Sequence, residues 1–248
     1  MNRQPLKRFS HILAPGLLIL ILVSACSSGA RTPDVRNHPA PDLTVDTTPF
    51  QTAGCPLDDS GRNVCPPESP LGRLGCDYIT APGDYLGGLE PKDPLNLCWK
   101  LGAGGLFLTS DEYIYRDGCL LPLYARYVIQ RDGQFVLLKS LADLQKAYAP
   151  ITSEDEALSY ALAATGLPAY FGFEAPQGFR YFVDGLEDSH VVANDQGFLV
   201  YLYDYKFCGC GPHTTFYVEV LIKADGMVEE TGRTPVFEDP EQDNLCID

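Results

Sequence analysis

The sequence predicts an α+β fold, in which one or two helices pack on an antiparallel sheet meander and a disulfide-rich, loop-rich part comes first. Three observations lead to this prediction. Runs rich in aromatic and β-branched residues, typical of strands, fill the C-terminal half. A helix with clear start and stop signals precedes most of them. Five of the nine cysteines lie between residues 55 and 119, where glycine and proline are dense.

The strand-like runs begin with a hairpin. Residues 124–130 have strand composition, Asp132-Gly133 is a tight-turn pair, and residues 135–139 predict the returning strand. Later runs are separated by connections too short for parallel crossovers, which predicts antiparallel pairing; they cover residues 179–183, 190–193, 198–207, 216–222 and 227–229. In one of these runs three tyrosines share a face, which favours cross-strand packing over a sugar- or peptide-binding platform; they are Tyr201, Tyr203 and Tyr205.

Two helices are predicted between the hairpin and the later strands. Ser140 is placed to cap a short helix that runs through Ala147. Ser153 and Glu156 form a capping box at the start of a second helix, and Gly166 supplies its left-handed stop. The alanines and leucines of this second helix fall on one narrow face, which predicts packing against a sheet.

The N-terminus has the pattern of an export signal. Three basic residues precede an apolar run over residues 12–23, which is shorter than the roughly 20 residues of a comfortable membrane span. The next residues, Val23-Ser24-Ala25-Cys26, resemble the bacterial lipobox, in which a cysteine follows a small residue and becomes the lipid-modified N-terminus. The resemblance implies that the chain is a bacterial lipoprotein with lipid on Cys26.

This resemblance sets the expected organisation of the chain. It implies a signal peptide over residues 1–25 and a mature protein tethered to a membrane, which is the outer membrane in a two-membrane organism because Ser27 follows the cysteine. Residues 26–52 have few large apolar side chains and predict a flexible tether. Residues 53–248 are expected to form a single disulfide-braced domain, with a Cys/Gly/Pro-rich part over residues 53–122 and a helix-on-sheet part over residues 123–248.

The remaining cysteines predict a disulfide framework. An even number in an exported chain favours up to four bridges, whose pairing the sequence does not determine; the candidates are Cys55, Cys65, Cys76, Cys98, Cys119, Cys208, Cys210 and Cys246. Because the five between residues 55 and 119 are an odd number, at least one of them must pair with one of the last three if all are bridged.

The segment Cys208-Gly209-Cys210-Gly211-Pro212-His213 is the most compact candidate for chemistry. Its favoured interpretation is structural, with each cysteine bridged to a distant one and no cofactor. An alternative is a Zn or Cu site formed by Cys208, Cys210 and His213, because thiolate and imidazole are ligands of these metals. A third is thiol redox chemistry through a strained Cys-Gly-Cys ring.

Charge and motif content restrict the function further. The net charge is −15, and removal of residues 1–25 takes it to about −18, which makes nucleic acid and anionic lipid poor partners. No common hydrolase, zinc-protease or phosphate-loop motif occurs. His190 follows Glu187, Asp188 and Ser189, but alternating strand faces argue against their convergence. The favoured interpretation, with no catalytic residue assigned, is a non-enzymatic envelope module that binds a protein, peptide or glycan.

A second resemblance concerns the C-terminal half. A helix that opens with Ile151-Thr152-Ser153-Glu154-Asp155-Glu156-Ala157, followed by a meander closing on Tyr217-Val218-Glu219-Val220 and Ala224-Asp225-Gly226, is similar to PepSY-type domains. The similarity spans at most residues 151–231. It implies a small extracytoplasmic helix-on-sheet module, of a kind linked to protease inhibition or regulation.

Overall fold

The computed structural model describes residues 32–102 and 107–248. Its helices are α1 (Pro70–Arg73), α2 (Leu141–Tyr148) and α3 (Glu154–Thr165), with 3₁₀ turns at Thr48–Thr52 and Pro240–Gln242. Its strands are β1 (Asp34–Arg36), β2 (Asn63–Val64), β3 (Tyr78–Thr80), β4 (Leu95–Leu101), β5 (Tyr115–Asp117), β6 (Leu123–Arg131), β7 (Gln134–Leu138), β8 (Arg180–Tyr181), β9 (Gly185–Glu187), β10 (His190–Asn194), β11 (Gly197–Tyr205), β12 (Gly209–Cys210), β13 (Thr214–Ile222), β14 (Val228–Glu238) and β15 (Cys246–Ile247).

Two antiparallel sheets carry most of these strands. The N-terminal sheet has the order β2-β3-β4-β6-β5, and β7 also pairs with β6. The C-terminal sheet has the order β10-β11-β13-β14-β8. Two small pairs complete the fold: β1 runs parallel to β9, and β12 runs antiparallel to β15. One apolar core joins a face of each sheet with α3, as Tyr127, Leu202 and Tyr160 illustrate.

The predicted α+β fold is wrong, because the protein is mostly β. Strands account for 36% of the structure and helices for 15%, and one sheet is curled into a half-barrel. The difference arises in residues 53–122, which were expected to be loop-rich. That part contributes β2, β3, β4 and β5, and it forms one sheet with the hairpin of β6 and β7.

Strand β4 shows why the sequence pattern concealed this sheet. The five residues from Leu95 to Trp99 are all buried, since both faces of the strand are covered. A strand buried on both faces lacks the alternation of apolar and polar residues that marks a half-exposed strand. The periodicity is therefore weak although the strand is regular.

Several local predictions in the C-terminal half are confirmed. Strands β6 and β7 form the hairpin around Asp132-Gly133, and the strands after α3 that form the C-terminal sheet pair in antiparallel fashion. In α3, the Ser153 hydroxyl accepts a hydrogen bond from the Glu156 amide, and Gly166 is left-handed. The prediction that only one narrow face of α3 is buried is wrong, because every residue from Glu156 to Ala164 is buried. The helix is covered on all sides rather than on one.

Part of that cover is a loop that touches the α3 backbone at Gly88. A Cβ added at this position would lie 2.3 Å from the carbonyl oxygen of Asp155 and 2.6 Å from the Ser159 hydroxyl. The Gly88 amide also donates to that hydroxyl at 2.9 Å. Since the helix backbone cannot yield, Gly88→Ala is expected to lower the free energy of unfolding by about 1 to 3 kcal/mol, measured by urea denaturation. Gly83→Ala is the control, because no atom lies within 4 Å of its added Cβ; an equal loss in both variants would contradict the close contact.

Buried tyrosines make the fold sensitive to alkali. Burial raises the pKa of Tyr115 to about 12 and that of Tyr127 further above its ordinary value. Because the folded-state pKa is raised, the stabilisation is complete below about pH 10, the ordinary tyrosine value, and is lost as pH rises through the folded-state values. A tyrosinate absorbance titration should therefore show ionisation delayed beyond that of the urea-unfolded chain. Full ionisation near pH 10 with the fold intact would contradict this expectation.

All eight candidate cysteines are paired. The bridges are Cys55–Cys65, Cys76–Cys98, Cys119–Cys208 and Cys210–Cys246. Of the five cysteines in residues 55–119, Cys119 is the one that pairs outside this region. Its bridge to Cys208 joins the β5–β6 connection to the segment after β11. Four disulfide bonds are typical of an extracytoplasmic protein. No helix within the described ranges has the length and apolar character needed to cross a membrane.

The predicted tether over residues 26–52 is wrong for the part that the structure describes. Residues 32–52, here called the N-terminal arm, pair through β1 with β9 and bury Leu43 and Phe50 in the domain. The arm has few large apolar residues, but Val35, Leu43, Val45 and Phe50 each pack in a hydrophobic cluster formed mainly by the rest of the chain. The expected signal peptide and the lipid-bearing Cys26 lie outside the described residues.

Candidate functional site

The disulfide pairing agrees with the favoured structural interpretation of the Cys208–His213 turn and contradicts its metal and redox alternatives. Cys208 is bonded to Cys119 and Cys210 to Cys246, so neither is a thiol and the two do not bond to each other. His213 is 1% exposed, with Nδ1 2.8 Å from the carbonyl oxygen of Lys206 and Nε2 3.0 Å from that of Leu245. The turn is therefore structural, because neither cysteine is available as a metal-binding thiolate or as a partner in a Cys208–Cys210 redox pair.

The structure instead brings together His38, Glu187 and His190, here called the histidine cluster. Each offers one ligand-type atom, and these atoms lie within 4.8 Å of one another. His38 follows β1 in the N-terminal arm, Glu187 ends β9, and His190 begins β10. The parallel pairing of β1 with β9 places His38 beside the two others although some 150 residues separate them.

The turn between β9 and β10 is held by a buried carboxylate. Asp188 is fully buried and accepts backbone N–H bonds from Gly172 at 2.7 Å, Phe173 at 3.0 Å and His38 at 3.0 Å. The Asn37 side chain donates a fourth bond at 3.2 Å. Burial acts to raise the pKa of Asp188, but these hydrogen bonds outweigh it and lower that pKa below its ordinary value. Asp188 thus links the backbone of His38 to that of Gly172 and Phe173.

Glu187 is the anionic centre of the cluster. Its Oε1 lies 2.8 Å from His38 Nε2, 3.1 Å from a guanidinium nitrogen of Arg36 and 3.9 Å from His190 Nδ1. Burial acts to raise the pKa of Glu187, but the His38 hydrogen bond and the charges of His190 and Arg36 lower it below its ordinary value. One carboxylate therefore faces three groups that carry or can carry positive charge.

His190 is held by aromatic stacking. Its ring stacks on Tyr201 at a centroid distance of 4.4 Å and on His38 at 4.7 Å. Its Nδ1 lies 2.9 Å from the carbonyl oxygen of Asp188, which can only accept, so Nδ1 carries the proton in this bond. The lone pair of the neutral ring is then on Nε2.

The cluster opens onto a cleft of about 210 Å³. His38 and His190 line it together with Glu154 and Asp155 of the first turn of α3. The cleft thus combines imidazole rings with carboxylates and is open to solvent.

A second concave region, here called the aromatic cavity, has a volume of about 300 Å³. Its lining is mainly aromatic, with a few polar groups, and comprises Tyr170, Phe173, Pro176, Phe179, Tyr205, His213, Thr215, Phe237, Asp239 and Gln242. Within this lining the Tyr205 hydroxyl donates to the Gln242 side chain, whose amide donates to Asp239 at 3.1 Å. The polar groups are therefore oriented before any ligand binds.

The tyrosine row on β11 passes between the two regions. Tyr201 stacks in the histidine cluster and Tyr205 lines the aromatic cavity. Tyr203 is fully buried between them and contacts Tyr217 and Phe173. The predicted cross-strand packing is confirmed at Tyr203 and at Tyr201, which both pack on Tyr217, while Tyr205 lines the aromatic cavity.

Comparison with known proteins gives no relative. No protein family, no curated protein and no solved structure matches this chain. The assignment of a function therefore rests on the chain's own residues.

Sequence reasoning missed the histidine cluster for two reasons. The composition around His38 predicts a tether, and alternation of strand faces over residues 187–190 predicts no convergence if these residues form one strand. The chain turns at Asp188 and Ser189, so Glu187 and His190 belong to different strands and meet. The available signal was the scarcity of histidine: four occur in the chain, and one of them, His190, follows Glu187 and Asp188 within three residues.

Proposed function

We propose that this protein is an exported lipoprotein, anchored through lipid on Cys26, that acts as a non-enzymatic binding module in the cell envelope. In a two-membrane organism Ser27 favours the outer membrane. The ligand is a small molecule with an apolar face and several hydroxyl groups, of which a sugar ring is the typical case. The four disulfide bonds, the lipobox resemblance and the aromatic cavity support this proposal.

The N-terminal arm keeps the domain close to the anchor. Strand β1 begins at Asp34, and the eight residues from Cys26 to that point span at most about 29 Å when extended. The expected stalk of residues 26–52 would have reached several times further. Binding would therefore take place near the membrane surface.

The aromatic cavity is the observation that carries the binding role. Concave, mainly apolar sites with a few oriented polar groups are the usual form of small-ligand sites. Aromatic faces suit the C–H surface of a sugar ring, while Asp239 and Gln242 offer acceptors and a donor for its hydroxyls. Of the lining residues, Tyr170 is 37% exposed and Phe179 is partly buried, so both reach the solvent.

Saturation-transfer NMR with a panel of envelope monosaccharides and oligosaccharides tests the binding role. At least one sugar should bind, and both Tyr170→Ala and Asp239→Asn should weaken its binding by about 10-fold or more. Phe182→Ala is the matched control, because Phe182 is exposed and does not line the cavity. Absence of sugar binding, or equal weakening by the control, would overturn the proposed ligand class.

The anchor is tested separately. Cells fed labelled palmitate should label the wild-type protein, and Cys26→Ser should abolish both the label and the recovery of the protein in membranes. A disulfide-bonded cysteine such as Cys210 has no free thiol and so cannot take up the label in place of Cys26. Membrane recovery of the unlabelled Cys26→Ser protein would contradict lipid anchoring and leave the binding result standing.

A further inference from the structure

The geometry points to a divalent transition-metal site, best suited to Zn²⁺, formed by His38, Glu187 and His190. The ion would bridge the N-terminal arm to the strands β9 and β10. This inference does not depend on the proposed sugar ligand, because the histidine cluster and the aromatic cavity share no residue.

The donor set matches the chemistry of such ions. Two imidazoles and one carboxylate are a recurring three-ligand set for zinc, and they leave a fourth position for water or another ligand. Calcium and magnesium, which select oxygen donors, fit less well. The thiolate-rich sites that select copper(I) are also excluded here, because all eight disulfide-bonded cysteines lack a free thiol.

The distances require only side-chain movement. Ligand atoms about 2.0–2.2 Å from zinc lie roughly 3.3–3.6 Å from each other in a tetrahedron. His38 Nε2 and Glu187 Oε1, now 2.8 Å apart, would separate by roughly half an ångström to admit the ion. The widest spacing in the cluster, at most 4.8 Å, would close by roughly 1 Å.

The backbone around the ligands is fixed in advance. Asp188 accepts the His38 amide at 3.0 Å, and the Tyr203 hydroxyl donates to the Glu187 carbonyl at 2.6 Å. These contacts lower the entropy cost of assembling the site. His190 Nδ1 is the ring nitrogen that lies 3.9 Å from Glu187 Oε1. Binding of the ion there would replace its 2.9 Å bond to the Asp188 carbonyl and leave the ring proton on Nε2.

Charge in the adjacent cleft favours a cation. Glu154 and Asp155 line the cleft together with both histidines, and the chain as a whole carries a net charge of −15. The opposing group is Arg36, whose guanidinium lies 3.1 Å from Glu187 Oε1. Its side chain is 74% exposed, so it can leave the carboxylate when a metal ion replaces it.

Titration of the chelator-treated, disulfide-intact mature protein with Zn²⁺ in a calorimeter, and with Co²⁺ by visible absorption, tests the site. One ion per chain should bind. Loss of an outer-shell partner usually weakens a metal site by about 10- to 100-fold, so His38→Ala and His190→Ala should each weaken binding by roughly 100-fold or more. Glu90→Gln, which removes an exposed carboxylate elsewhere, should leave the affinity unchanged.

Two readouts do not depend on disruptive variants. Zn²⁺ should shift the imidazole nitrogen resonances of His38 and His190 but not those of His213, whose nitrogens both face backbone carbonyls. Arg36→Gln removes the competing cation and should raise the zinc affinity by a few-fold. Unshifted His38 and His190 resonances, or binding that survives both histidine substitutions, would overturn the metal site.

Discussion

Replacing Cys119 and Cys208 together with alanine is expected to lower the free energy of unfolding by about 4 to 5 kcal/mol. Their disulfide spans a sequence separation of 89, the longest of the four bridges among the described residues. A cross-link stabilises mainly by restricting the unfolded chain, and the restriction grows with the length of the loop that it closes. Urea denaturation of the double variant under oxidising conditions measures the loss.

The bridge between Cys55 and Cys65 is the matched control. Its sequence separation is 10, for which the same loop-entropy relation gives about 3 kcal/mol. The loss should therefore be clearly smaller when this pair is replaced with alanine. If both double variants lose the same free energy, or if the order is reversed, native-state packing rather than loop length determines the stability that each bridge adds.

Local signals in the sequence predicted local structure well. The hairpin turn at Asp132-Gly133, the Ser153 cap and the Gly166 stop each depend on a few adjacent residues, and the structure contains all three. Such features are determined by backbone conformations and short-range hydrogen bonds. These turn and cap positions were therefore predictable from the sequence of each segment alone.

The predicted fold class was wrong because the burial of a segment depends on other segments that are distant in the sequence. Strand β4 has no alternation of apolar and polar residues because both of its faces are covered. The N-terminal arm is ordered because β1 pairs with β9. A polar segment such as the arm cannot fold alone, yet a few apolar residues such as Phe50 attach it to a core made by others. The regulatory role implied by the PepSY resemblance stays a prediction.

The disulfide bonds were predictable only in part. Parity alone required a bridge between residues 55–119 and the C-terminal cysteines, and Cys119–Cys208 is that bridge. Which cysteines pair depends on which segments the fold brings together, and the spacing of cysteines along the sequence does not determine this. The histidine cluster likewise depends on contacts between distant segments, because His38 approaches Glu187 only through the parallel pairing of β1 with β9.

Asp188→Asn is expected to lower the free energy of unfolding by about 3 to 5 kcal/mol. The fully buried carboxylate accepts hydrogen bonds from the amides of Gly172, Phe173 and His38. An asparagine has nearly the same shape, but its NH₂ group would face N–H donors and leave some of them without an acceptor. Urea denaturation measures the loss, and hydrogen exchange should show faster exchange at these three amides.

Asp184→Asn is the control for this change. Asp184 is an exposed turn residue one position before β9, so its substitution should change the unfolding free energy by no more than about 0.5 kcal/mol. A loss below about 1 kcal/mol in Asp188→Asn would show that other acceptors serve the three amides. Because Asp188 also positions His38, the folded Asp188→Asn protein should bind Zn²⁺ more weakly although all three proposed ligands are present. Unchanged zinc affinity would mean that the arm holds His38 in place without this carboxylate.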